Sequence, residues 1–218
     1  MNNSRNKIIS LVTVVVLLVA SLAVYSTASA TSKGKVKVNA NQLAFRNAMR
    51  KLWEDHITWT RLFIVSAVSD LPDKDPTTQR LLQNQDDIGN AIKPFYGDAA
   101  GDQLTKLLRE HILTAAEVLD AAKRGDTAAF NDANARWYAN ANEIAAFLNS
   151  ANPKNWPLDE MQMMMKSHLD LTLKEASAHL TGDYGTDIAA YDAVHAEILE
   201  MADMLSTGII NQFPKQFK

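Results

Sequence analysis

Four of the five histidines in this chain stand where a helix would turn them toward its apolar side. In LWEDHITWTRLF, residues 52–63, Leu52, His56, Thr60 and Phe63 follow at steps of three and four and so share a helix face. The same steps join Leu104, Leu107, His111, Ala115 and Val118, then Met161, Met165, His168, Thr172, Glu175 and His179, and finally Ile188, Asp192, His195, Leu199 and Ala202. His56, His111, His168 and His195 each lie roughly ten residues from one end of their segment. At about 1.5 Å of rise per residue, antiparallel neighbours would bring them to one level.

Neutral imidazoles and carboxylates projecting inward from several helices are how bundles hold zinc, copper, iron or nickel. The expected ligand set is His56, His111, His168 and His195 with Asp192, whose i, i+3 step from His195 lets both reach one ion. Asn84 or Asp87 from the second segment and Asn140 and Glu143 from the fourth would join the same level, beside Thr172 and Glu175, as supporting groups. The competing reading is a buried hydrogen-bond network that specifies the core and ligates nothing. Paired Glu-x-x-His motifs and HExxH are both absent. His179, near a helix end, is expected to meet terminal carbonyls. Met161, Met163, Met164 and Met165 offer soft thioethers suited to copper, or simply fill the core. Trp53, Trp59, Trp137 and Trp156 read as packing between helices or over the bundle end.

The elements that would position these residues are helices throughout. Leu43 to Ala67 forms the first, DLPDKDP interrupts it, and a second covers about 77–96, with Asp75 as N-cap and Pro76 at its first position. Further helices cover about 101–123, 127–150, 158–181 and 187–210, separated by Arg124-Gly125, NSANPKNWP and GDYGTD. Loops this short predict an all-α, up-and-down helical bundle of five to six helices. There is no fixed-period repeat. A Gly-rich phosphate loop, a G-x-S-x-G elbow and strand-helix alternation are missing, and Glu54, Asp55, Glu110 and Glu117 read as solvated faces.

Residues 1–30 carry Arg5 and Lys7, the uncharged run Ile8 to Val24 and the small-residue site Ala28-Ser29-Ala30, the pattern of a cleaved secretory signal peptide. Retained, the segment would anchor the chain to a membrane. Its removal leaves a net charge of −5, which argues against nucleic-acid binding. The lysine-rich stretch 31–41 reads as a flexible leader and 42–218 as one domain. With no cysteine, the fold must hold without disulfides or thiolate metal sites.

The stretches RKLWEDHITWTRLFIVSAVSDL, RLLQNQDDIGNAIKPFYGDAAGDQL, REHIL, WYANANEIAAFLNSANPKNW and MADMLSTGIINQFPKQF together resemble a family of secreted, all-helical bacterial proteins of unknown function. Members are sometimes labelled glycosyltransferase or acetylglutamate kinase, labels that imply Rossmann-like or amino-acid-kinase folds for which this sequence has no strands. The resemblance implies no agreed cofactor or catalytic residue. The resulting expectation is an extracytoplasmic binding protein for a transition metal ion or small ligand. The alternative is a structural or interaction module of the cell envelope, with a transferase third.

Overall fold

A computed structural model describes residues 39–218, so the expected signal segment and most of the leader lie outside the described residues. Six helices follow one another: α1 Ala40–Val68, α2 Lys74–Tyr96, α3 Asp98–Arg124, α4 Thr127–Ala151, α5 Leu158–Thr181 and α6 Tyr184–Gln212. The short 3-10 turn Pro214–Phe217 comes last. Each helix packs on the next and α6 packs back on α1, closing an all-α ring of antiparallel helices. α1 also touches α3 and α5 across the ring. Among the described residues no helix is long and apolar enough to cross a membrane.

Local chemistry fixes the ends. Asp126 Oδ1 accepts from the Ala129 amide at 3.0 Å and Asp183 Oδ1 from the Thr186 amide at 3.1 Å, satisfying donors that the first turns of α4 and α6 leave free. Gly125 (φ 68°) and Gly182 (φ 76°) take the left-handed conformation that stops α3 and α5. Four helices, α1, α2, α3 and α6, begin about three residues before the sequence reading, at Ala40, Lys74, Asp98 and Tyr184. α2 begins at Lys74, behind Asp73, so Asp75 and Pro76 lie inside its first turn. α1 begins at Ala40, inside the stretch expected to be leader, because the Asn39 side chain accepts from the Asn41 and Gln42 amides.

That same Asn39 donates through Nδ2 to the Phe217 carbonyl at 2.5 Å, and Asn41 Nδ2 donates to the Lys218 carbonyl at 3.0 Å. The start and end of the bundle therefore meet at one pole, which Phe45, Phe95, Phe213 and Phe217 fill with stacked and edge-on rings. α2 and α3 approach closely where both have glycine. A Cβ on Gly89 would overlap Thr105 Oγ1 and lie 2.7 Å from the Gly101 carbonyl, so the contact tolerates no side chain there. The main core runs from this pole through Met49, Trp53, Ile144, Met161, Ile198 and Ile209. A smaller cluster, with Phe63, Ile64, Leu81 and Leu119, lies toward the opposite pole, where Gly125 and Gly182 turn the chain.

Candidate functional site

His56 of α1, His111 of α3 and His168 of α5 project from the middle turns of their helices and are all buried. Ring centroids are 5.7 Å apart for His56 and His168 and 6.4 Å for His111 and His168, so His168 stands between the other two. Three of the four imidazoles expected to meet do meet.

Their partners come from α2, α4 and α6. The Trp137 indole donates to His111 Nε2 at 3.2 Å, and Asn140 Oδ1 lies 3.0 Å from His111 Nδ1. An indole can only donate and an amide oxygen can only accept, so the His111 proton sits on Nδ1 and both ring nitrogens are engaged. Asn140 is held in turn by donating to the Leu107 carbonyl at 3.1 Å. His168 Nδ1 faces Glu197 Oε2 at 3.1 Å. Near His56 Nδ1, at 3.3 Å, is the amide nitrogen of Gln85, which also donates to the Leu81 carbonyl and to Asn84 Oδ1. Asn84, anticipated from the sequence, belongs to this layer and donates to the Leu52 carbonyl.

Burial disfavours the charged form of His56 and His111, and the neighbouring imidazoles add to the effect. His56 is pushed well below the ordinary histidine value, by burial first and then by His168 and His111. His111 falls to about 3 from the same first cause, with His168 adding to it. At neutral pH both are uncharged.

The rest of the expected ligand set is elsewhere. The inward stripe of α6 is Ala190, Val194, Ile198, Met201 and Leu205, which rotates His195 and Asp192 away from the core. His195 pairs through Nε2 with Glu54 Oε1 at 2.9 Å on the surface, with 40% of its side chain exposed, and Asp192 is exposed. Ile188, read as part of the inward stripe, is 57% exposed. Asp87 lies half-buried 3.9 Å from Arg80, and Glu143 points to solvent. Thr172 is buried but spends its hydroxyl proton on the His168 carbonyl at 2.8 Å. Among the described residues, no group of three or more His, Asp or Glu is arranged to hold a metal ion. For His111 the reason is direct: neither ring nitrogen is left with a free lone pair.

Sequence reasoning missed a second buried cluster. Arg61 of α1 reaches Asp187 with both terminal nitrogens and Glu175 Oε1 at 2.8 Å, and His179 Nδ1 lies 2.8 Å from Asp187 Oδ2. Tyr191 offers its ring face to the guanidinium at 5.2 Å. His179 therefore serves Asp187 and not the helix-end carbonyls expected of it. Arg61 holds the Asp187 carboxyl below its ordinary value, with His179 helping, whereas burial outweighs Arg61 at Glu175 and raises it. Arg61 was legible as the one basic residue in LWEDHITWTRLF, and the eight-residue step from His179 to Asp187 across a tight turn was the remaining signal.

Between the imidazole layer and the pole of Gly125 and Gly182, α1, α3, α4 and α5 surround a cavity of about 220 Å³. Phe63, Val118, Phe130, Leu173 and Trp137 line it, with Thr60 and Thr172 nearest the histidines. Thr60 donates to the His56 carbonyl at 2.8 Å as Thr172 does to that of His168, so both hydroxyl protons are spent on backbone. Trp137 is common to the cavity wall and the imidazole layer. Fold and site together define an all-α bundle with a buried imidazole layer beside an apolar chamber. Family models, curated proteins and solved structures give no match to this chain.

Proposed function

We propose that the chain is an extracytoplasmic binding protein that takes up a small apolar molecule in the cavity between α1, α3, α4 and α5. The supporting observation is the chamber of about 220 Å³ with an almost wholly apolar lining. Drug-sized sites run to roughly 300–1,000 Å³, while an apolar cavity of roughly 150 Å³ stays dry and accepts benzene. The ligand class is therefore a compact apolar molecule of about one to two aromatic rings. The export part of the reading rests on the residue pattern of 1–30.

The second reading, a structural or interaction module of the cell envelope with a non-ligating histidine core, is favoured by the complete hydrogen bonding of His111. Titration with toluene, indole and naphthalene, followed by tryptophan fluorescence and melting temperature, separates the two. A binding protein is stabilised by at least one probe, and Ala176→Leu, which fills the cavity, abolishes that effect while the protein stays folded. A protein that no probe stabilises, or an Ala176→Leu variant that binds as well as the parent, refutes the ligand reading.

A further inference from the structure

On the outer face between α5 and α6, away from the cavity, a groove of about 590 Å³ brings together the thioethers of Met163, Met164, Met201 and Met204 with Glu197 and Glu200. We propose that this groove is a binding site for a soft monovalent cation, of the class of Cu(I) and Ag(I). The proposal is independent of the cavity reading.

Three observations carry it. First, the thioethers come from two helices in matching register. On α6, Glu197, Glu200 and Met204 follow at i, i+3 and i+7 and form one outward stripe, with the buried core residue Met201 at its inner edge, and this stripe faces Met163 and Met164 of α5. Second, apolar packing does not account for all of them. Met161, Met165 and Met201 are buried in the core and Met164 and Met204 pack against it, but Met163 is 69% exposed. Third, Glu197 is incompletely satisfied. Its Oε2 serves His168, while Oε1 is shielded from solvent and has no hydrogen-bond partner among the described residues. A desolvated carboxylate oxygen with nothing to accept from calls for a positive charge.

The chemistry of the donors selects the ion. Thioethers are soft, neutral ligands that favour Cu(I) over hard divalent ions, and they hold the ion without losing a proton. The carboxylates supply charge compensation, and the described residues lining the groove include no basic side chain. Met163 and Met164 stand together in the sequence, but Met201 and Met204 lie almost forty residues further on, and only the pairing of α5 with α6 puts the two sets together.

Ag(I), which is redox-inert under these conditions, is the probe. The full chain is labelled at the methionine methyls with carbon-13 and titrated with silver nitrate in a chloride-free buffer. The methyls of Met163, Met164, Met201 and Met204 are expected to shift together and saturate at one equivalent, while Met49 and the core pair Met161 and Met165 stay in place. Met163→Leu with Met204→Leu conserves volume and should weaken binding at least tenfold with the melting temperature unchanged. Glu197→Gln should weaken it less. Shifts spread over all methionines, an unaltered affinity in the double leucine variant, or equal binding of Ca²⁺ would each overturn the proposal, the last by reducing the groove to an acidic patch.

Discussion

Lowering the pH from about 7.5 to about 5 should destabilise the fold through His56 and His111 before any of the lowered aspartates contributes. Both rings have folded values below the unfolded one, so the unfolded chain binds more protons between the two and stability falls as pH falls. For His111, with about 3 folded against 6.5 unfolded, integration over that interval gives a loss of about 2 kcal/mol. His56 shifts in the same direction and adds to that loss, against a typical total stability of about 5–15 kcal/mol. The limiting slope is about 1.4 kcal/mol per pH unit for each ring. Asp187, Asp203 and Asp170 have lowered values, so their stabilisation is lost only as pH falls from about 4 through those values, outside the window. Glu175 works in the opposite direction, because its raised carboxyl is relieved by protonation. Urea unfolding followed by circular dichroism at several pH values measures the slope, with Glu175→Gln as background to remove the opposing group. His111→Gln costs stability at every pH through its lost bonds to Trp137 and Asn140, but the slope itself should drop by about 1.4 kcal/mol per unit. A slope near zero in the Glu175→Gln background, or one that His111→Gln leaves unchanged, refutes the account of neutral buried rings.

Arg61→Met should be among the most damaging single changes, because it leaves Asp187 and Glu175 buried without their cation. A loss of about 3–5 kcal/mol is expected in urea unfolding at neutral pH, and a second change, Asp187→Asn, should restore part of it. Gly89→Ala should destabilise by about 1–3 kcal/mol or more through overpacking at the α2–α3 contact, despite the better helix propensity of alanine, as thermal unfolding would report.

Helices could be read from the sequence because their signals are local. α5 was expected at 158–181 and occupies Leu158–Thr181, since the break before it and Gly182 after it are chemical stops. The rotation of each helix was legible only where one apolar stripe stands alone, as on α3, where Leu104, Leu107, His111 and Val118 are all buried. α6 is apolar over much of its circumference, and two stripes a single residue apart, one through Ile188 and His195 and one through Ala190 and Val194, fit the same periodicity. Packing against α1 and α5 chooses between them, and that choice is not encoded within α6. Arg61 escaped for a related reason. A basic residue at the flank of an apolar stripe reads as a solvated face until α5 and α6 supply Glu175 and Asp187 to draw it inward.

The hydrogen bonds from Asn39 and Asn41 to the last two carbonyls make the bundle a cycle whose opening between residues 218 and 39 is one choice among several. A linker of a few residues would join those ends. New ends could then be cut at Gly125 or at Gly182, both in exposed turns of the opposite pole where no helix would be divided. Such a circular permutant would carry its termini beside the cavity and not at the aromatic pole, which offers a way to attach the protein to a surface with the chamber facing either toward it or away.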